Sequence, residues 1–214
     1  MTGEVELRNA VRAWIADDPD EGDRAELQAL LDRAFPAEGA LGGRGPEAHG
    51  DIGAGAITEV HRDAEARTVA EAHEDAGPGA VAELRDRFAD RLHFGTAGLR
   101  GVVAAGPNRM NRAVVRAATA AVAGWLLAPG EADGTSVVVG CDARHRSAEF
   151  ADEVAGVLAG AGIAVHLLPR PCPTPLLAFA VRHLGTAAGV MITASHILTL
   201  PNICAKTIGI TAKA

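Results

Sequence analysis

A serine and a histidine follow directly after an apolar run near residue 190. The run Ala187-Ala-Gly-Val-Met-Ile-Thr-Ala-Ser-His196 predicts a buried strand that delivers Ser195 and His196 at its end. Ligands of open α/β sheets bind at the carboxyl ends of the strands, so a hydroxyl presented there is a candidate nucleophile. Adjacent residues of an extended chain point apart, so we expect His196 to donate a hydrogen bond near the site rather than to deprotonate Ser195 directly.

A glycine-rich stretch upstream has the composition of an anion-binding loop. In Phe94-Gly-Thr-Ala-Gly-Leu-Arg-Gly101 the three glycines let the backbone approach an anion, and Arg100 offers a guanidinium fork for phosphate oxygens. Thr96 lies in the same loop and is a second candidate phosphate ligand. For Arg100 the structural alternative is a surface salt bridge. The glycine spacing matches neither the dinucleotide fingerprint nor a Walker A loop, which disfavours a nucleotide-binding protein.

The elements that must position these residues alternate regularly. Apolar patterns predict strands at 99–103, 136–140, 163–168 and 187–194, with helices at 111–127, 147–160 and 174–183 between them. This alternation predicts an α/β fold: a three-layer α/β/α domain whose mostly parallel sheet is covered on both faces. Asp142 and Arg144 follow the second strand, where they could orient the serine segment or simply pair with each other.

The chain before this domain has a different character. We expect residues 1–92 to form an N-terminal helical arm, with amphipathic helices at 4–16 and 23–35 and with Asp23 as the N-cap of the second. Residues 36–80 are rich in glycine and poor in large apolar side chains, which predicts a flexible insertion with a possible short helix at 60–74. The domain itself takes residues 93–214.

Composition favours a small-molecule ligand. The net charge of −7 and the isoelectric point near 5.6 argue against nucleic acid or an anionic membrane as partner. The three cysteines have no metal-finger spacing and suit a reducing compartment. No apolar run is long enough to cross a membrane and no secretory leader is evident, so we expect a cytoplasmic protein.

Five segments follow one another in a distinctive order. They are Phe94-Gly-Thr-Ala-Gly-Leu-Arg-Gly101, Gly106-Pro-Asn-Arg-Met-Asn111, Val137-Val-Val-Gly-Cys-Asp-Ala-Arg144, Pro171-Cys-Pro-Thr-Pro175 and Ile192-Thr-Ala-Ser-His196. Together they resemble the first domain of the α-D-phosphohexomutases, the phosphoglucomutase and phosphomannomutase group. The resemblance is strongest to the longer phosphoglucomutase and phosphopentomutase branch, and the N-terminal arm is similar to that branch as well.

The resemblance implies an isomerase that interconverts hexose 1-phosphate and 6-phosphate through a phosphorylated Ser195. It implies Mg²⁺, bound in part by the Ser195 phosphate, and a sugar bisphosphate as activator, because phosphoryl transfer depends on positioning and charge stabilisation. In this scheme Ser195 and His196 belong to the catalytic site, and Arg100, Thr96, Asp142 and Arg144 are candidates for binding phosphate. Glucose, mannose and pentose phosphates remain open as substrates.

The resemblance stops after His196. The family continues Ser-His-Asn-Pro-Pro and then places a lysine in an Asn-Gly-Tyr-Lys context, whereas this chain continues Ile197-Leu-Thr-Leu-Pro201. The family's metal loop and sugar-recognition loop have no counterpart, so we expect a truncated mutase, aberrant after residue 196 and without turnover on its own. The alternative is an inactive remnant or a stand-alone sugar-phosphate-binding domain.

Overall fold

The computed structural model describes residues 3–36, 77–95, 98–128, 135–195 and 205–212; of residues 194–195 and 205–212 it describes the backbone. Six helices and six strands lie in these ranges. In chain order they are α1 (Glu4–Asp17), α2 (Glu21–Ala34), α3 (Pro78–Arg87), β1 (Phe94–Gly95), β2 (Gly98–Val102), α4 (Arg112–Leu126), β3 (Ser136–Cys141), α5 (Ser147–Gly160), β4 (Ala164–Leu167), α6 (Thr174–Leu184), β5 (Ala188–Ser195) and β6 (Ala205–Ala212).

The strands form one sheet in the order β1-β2-β6-β5-β3-β4. β3 pairs in parallel with both β4 and β5, which confirms the parallel core that the strand–helix alternation predicts. The other three pairs, β1 with β2, β2 with β6 and β6 with β5, are antiparallel, so the whole sheet is mixed. β6 was not predicted from the sequence. It follows β5 after only a short connection, which suits an antiparallel neighbour, whereas a parallel neighbour needs a longer crossover.

Helices cover both faces of the sheet, as the α/β/α prediction requires. On one face α4 and α5 pack their buried side chains, among them Val115, Phe150 and Leu158, against β3 and β5. On the other face α6 packs Leu177 and Val181 against the same two strands. The three-layer architecture is therefore confirmed, and β3 and β5 lie at its centre.

Two strand glycines let α6 approach the sheet closely. A Cβ at Gly189 in β5 would lie 2.5 Å from Cγ2 of Val181, and one at Gly140 in β3 would lie 2.9 Å from Cδ1 of Leu177. Real Cβ contacts are not this short, so a larger residue at either position would push α6 outward. The glycines thus fix the packing of the strands that lead to the candidate site.

The arm helices have a core of their own. Leu7 and Val11 of α1 pack with Leu27 of α2 and Leu84 of α3, and this cluster reaches the main domain at Ala105. Three helices therefore pack together in the described part of residues 1–92, and the predicted cap of α2 is wrong. Asp20 is the N-cap and its side chain accepts a hydrogen bond from the Asp23 amide.

The possible helix at 60–74 lies wholly outside the described residues, and of the proposed insertion at 36–80 the structure describes only residues 36 and 77–80. α3 begins at Pro78, inside the range assigned to the insertion. None of the described helices is both long and apolar enough to span a bilayer.

Candidate functional site

β5 is a buried strand that ends at Ser195, as predicted. Val190 and Ile192 are 3% and 0% exposed, because helices cover both faces of the sheet at this point. The backbone of Ser195 is paired with that of Ala205 in β6, and Thr193 is paired with Thr207. Ser195 thus occupies the carboxyl end of a central strand, the position at which open α/β sheets bind ligands.

The carboxylate of Asp142 joins the end of β3 to the end of β5. Its Oδ2 accepts a hydrogen bond from Thr193 Oγ1 at 2.9 Å, and its Oδ1 accepts one from Ser147 Oγ at 2.5 Å. The Asp142 amide donates to the Ile192 carbonyl at 2.9 Å, and the Arg144 amide donates to Asp142 Oδ1 at 3.2 Å. One side chain therefore fixes the residue two before Ser195 and the first residue of α5.

Sequence reasoning left open whether Asp142 pairs with Arg144 or orients the serine segment, and the structure contains both contacts. Nε of Arg144 lies 3.5 Å from Asp142 Oδ2, with the Arg144 side chain 40% exposed. The Thr193 contact is shorter and less exposed to solvent. An exposed pair of this length contributes little to stability, so the bond to Thr193 is the stronger constraint on Asp142.

Arg100 lies on the same side of the sheet as Thr193, two strands away. The backbone of Arg100 in β2 pairs with Thr207 in β6, and Thr207 pairs with Thr193 in β5, so the three form one row across the sheet. Residues in one such row project from the same face, and two strand spacings amount to about 10 Å. The exposed Arg100 side chain is therefore within reach of a phosphate held beside the end of β5.

A cluster of three carboxylates surrounds Arg146, at the end of the turn that Asp142 begins. Arg146 donates a hydrogen bond from Nη1 to Asp23 Oδ1 at 2.9 Å, one from Nη2 to Asp20 Oδ2 at 2.8 Å and one from Nε to Glu149 Oε2 at 2.9 Å. It also lies over the Phe150 ring, with Cζ 5.1 Å from the centroid. The cluster fastens α2 of the arm to the amino end of α5.

The cluster shifts the pKa values of its members in opposite directions. Burial raises the pKa of Asp23, although hydrogen bonds from Arg146 offset part of the rise. For Asp20 burial also acts to raise the pKa, but the Asp23 amide and the charge of Arg146 outweigh it and the pKa is lowered. Burial opposes the charge of Arg146, yet its bonds to Glu149 and Asp23 hold its pKa far above the ordinary value. Arg146 therefore stays charged in its partly buried position.

Two of the predicted site residues, Thr96 and His196, lie outside the described residues, and for Ser195 the structure gives the backbone only. Across the described part of the chain no group of three or more His, Cys, Asp or Glu side chains could hold a metal ion. The Asp142 carboxylate is already shared among a hydroxyl on each oxygen and the Arg144 amide. The described side chains at this end of the sheet therefore do not form a Mg²⁺ site.

Sequence reasoning missed three residues of this arrangement. Thr193 is part of the Thr-Ala-Ser-His motif, yet its hydroxyl was given no role. The sequence pattern predicts Ser147 as the cap of α5, whereas the N-cap is Arg146 and the Ser147 hydroxyl donates to Asp142. Arg146 follows Arg144 by two residues, but its partners Asp20 and Asp23 lie more than 120 residues away. The available signal was the acidic stretch at 17–23, of which residues 17–20 were interpreted as a break between two helices and Asp23 as the cap of the second.

Comparison with known proteins finds matches to about half of the chain. A sequence model described as phosphoglucomutase/phosphomannomutase, alpha/beta/alpha domain I, matches residues 91–199. A phosphoglucomutase of Staphylococcus haemolyticus is 44% identical over 109 residues, and one of Staphylococcus aureus is 45% identical over 112 residues. These matches cover 51% and 52% of this chain, and each covers 20% of the relative. A crystal structure assigned as a phosphomannomutase from Thermus thermophilus is similar with a TM-score of 0.47 and 42% identity, over 56% of this chain and 26% of that one.

Proposed function

Because the chain belongs to the phosphoglucomutase/phosphomannomutase family through its domain I, we propose that Ser195 carries the phosphoryl group that such an isomerase exchanges with a hexose phosphate. The chain spans about 20% of the length of the curated relatives it matches, so the proposal concerns the step that this domain contributes. The observation that carries it is the Asp142–Thr193 bond, which fixes the strand end two residues before Ser195.

The chemistry is a transfer of one phosphoryl group in each direction. The bond between phosphorus and the Ser195 oxygen breaks while a bond between phosphorus and a sugar hydroxyl oxygen forms. The proton of that hydroxyl passes, in the net reaction, to the Ser195 oxygen, which becomes a hydroxyl again. The resulting bisphosphate returns its other phosphoryl group to Ser195, which restores the phosphoserine. Arg100 supports this step as a guanidinium that can bind two phosphate oxygens at once.

The remaining candidates have narrower proposed roles. Thr96 and Arg144 would contact phosphate, and His196 would donate a hydrogen bond near the transferring group. Asp142 serves as a positioning residue rather than a phosphate ligand, because both of its oxygens already accept hydrogen bonds. The Mg²⁺ that the family resemblance implies has no site among the described residues, so no step is routed through a metal.

A phosphorylation experiment tests the proposal directly. The full 214-residue chain is incubated with glucose 1,6-bisphosphate, with and without Mg²⁺, and the modified residue is identified by peptide mass spectrometry. We expect one phosphoryl group per chain on Ser195 and none in Ser195→Ala. Binding of the bisphosphate without transfer would instead support a stand-alone sugar-phosphate-binding domain. Mannose 1,6-bisphosphate in parallel compares the two hexoses as donors.

A further inference from the structure

The turn 142–147 is held at both ends by buried or half-buried polar contacts. At its first residue, Asp142 binds Thr193 of β5 and Ser147 of α5. Near its last residue, Arg146 binds Asp20 and Asp23 of the arm. The side chains of Arg146 and Asp23 are 14% and 5% exposed, so this contact is shielded from solvent. The turn therefore connects α2 to the strand that ends at Ser195.

The backbone of Arg146 depends on these contacts. Its φ of 59° and ψ of 3° lie in the left-handed region, and no other non-glycine residue of the described chain has a positive φ. That conformation is unfavourable for a residue with a Cβ, which approaches the following carbonyl oxygen too closely. It persists where the surroundings over-determine it, and here the surroundings are the carboxylates of Asp20, Asp23 and Glu149.

We propose that Arg146 is a positioning residue, through which the arm holds the turn 142–147, and with it Thr193 and the end of β5, in the geometry that Ser195 needs to exchange a phosphoryl group. The chemical part of this inference rests on the proposed function. The mechanical part, that α2 restrains the end of β5, does not. Removing one carboxylate from Arg146 leaves a partly buried guanidinium underpaired, so the turn can relax toward a right-handed backbone and release Asp142.

The arm offers a matched control for the test. Glu26 lies on α2 three residues after Asp23, and it also pairs with a largely buried arginine: Arg87 donates Nη1 to Glu26 Oε1 at 2.5 Å, with the Arg87 side chain 12% exposed. The other partners of this pair are Glu83 and the backbone of Ala105, not the turn 142–147. Glu26→Gln therefore weakens arm docking without touching Arg146.

The first measurement is amide hydrogen exchange in the full chain, followed at the Asp142 amide, which donates to Ile192. We expect Asp23→Asn and Arg146→Lys to accelerate that exchange about tenfold or more, because breaking a buried pair favours local opening. Glu26→Gln should leave the rate within about twofold. Arg146→Lys keeps the charge, so it remains informative if Asp23→Asn does not fold. Equal acceleration in Glu26→Gln, or no acceleration in the other two, overturns the inference.

The second measurement is the rate of Ser195 phosphorylation against the concentration of glucose 1,6-bisphosphate. We expect Arg146→Lys to lower the maximal rate about tenfold and to leave the half-saturating concentration unchanged, because the guanidinium of Arg146 binds three carboxylates of the protein and not the sugar phosphate in this proposal. A wild-type rate retained in Arg146→Lys overturns the positioning role. If the wild-type chain takes no phosphoryl group while exchange responds as expected, the proposed function fails and the link between arm and strand stands.

Discussion

Thr193 Oγ1 donates a hydrogen bond to Asp142 Oδ2 at 2.9 Å, and this bond spans the carboxyl ends of two neighbouring parallel strands. Thr193 is half-buried and the Asp142 side chain is 19% exposed, so few water molecules compete for the hydroxyl and the carboxylate that form the bond. Its consequence is that the last residues of β5 are held from the side as well as through their backbone pairing. The candidate nucleophile is attached to a strand whose end is fixed.

Asp142→Asn should slow phosphorylation of Ser195 while leaving the fold intact. The amide has the same shape as the carboxylate, but its NH₂ group cannot accept hydrogen bonds, so it cannot serve both Thr193 and Ser147 as acceptor. We expect a decrease of about tenfold to a hundredfold, since small displacements of reacting groups have effects of that size. The test is the initial rate of Ser195 phosphorylation by glucose 1,6-bisphosphate in the variant and the wild type, with circular dichroism to confirm that both are folded.

The matched control for that substitution is Arg144→Gln. Arg144 approaches Asp142 from its exposed side at 3.5 Å, so losing its charge should change the unfolding free energy by less than about 1 kcal/mol. Arg144 is proposed to contact phosphate, so we expect Arg144→Gln to raise the half-saturating concentration of the bisphosphate. Asp142→Asn should instead lower the maximal rate. The same kinetic defect in both variants would contradict the separation of roles.

Acid should weaken the contact between α4 and α5. Burial acts to raise the pKa of Glu153, but hydrogen bonds from Arg116 and Arg112 outweigh it, so the pKa of Glu153 lies below its ordinary value of 4.5. The stability it contributes is therefore fully present above pH 4.5 and is lost as the pH falls through the lowered folded pKa. Urea unfolding from about pH 6 to about pH 3 should show this loss in the wild type and a shallower one in Glu153→Gln. Identical pH dependence in the two proteins would contradict the assignment.

Asn111 should prove structural rather than ligand-binding. Its Oδ1 accepts from the Val114 amide at 3.0 Å, which caps α4, and its Nδ2 donates to the Gly106 carbonyl at 2.7 Å. Asn111→Asp keeps the cap and loses the donor, whereas Asn111→Ala loses both, so we expect destabilisation by about 1–3 kcal/mol in the first and more in the second. Chemical denaturation measures the unfolding free energies of the two variants and of the wild type. A variant that unfolds like the wild type but binds the bisphosphate more weakly would indicate a ligand-binding role instead.

The order of elements between 98 and 195 was predictable because its signals are local. The patterns that predict the helices at 111–127 and 174–183 and the strand at 187–194 each act within a few residues, and each element ends within one residue of its predicted bounds. The three-layer fold follows from their alternation. The same local information placed Ser195 at the end of a central strand.

What could not be predicted depends on residues that are distant in sequence. Asp20 and Asp23 are both acceptable N-caps, and only the pairing of both with Arg146 shows why the helix begins where it does. The left-handed backbone conformation of Arg146 could not be predicted, because the residue that adopts it is not a glycine. In β6 the residues Ile208 and Ile210 alternate with threonine and glycine, a strand pattern that the sequence analysis did not use. Its place between β2 and β5 depends on backbone pairing that this alternation does not specify.

A final prediction concerns the close approach of α6 to the sheet. Gly189→Ala would place a methyl group 2.5 Å from Val181 Cγ2 and 3.0 Å from Leu177 Cδ2, both of which are held in the core between α6 and β5. We expect the unfolding free energy to fall by about 1–3 kcal/mol, the usual effect of overpacking. Gly124→Ala is the control, because Gly124 lies within α4 with no neighbouring atom within 4 Å of its Cβ position. There the alanine should stabilise by about 0.5–1 kcal/mol, since it favours the helix and restricts the unfolded chain. Opposite shifts of the urea midpoint support the packing, whereas a neutral Gly189→Ala would show that α6 can move away from β5 without loss of stability.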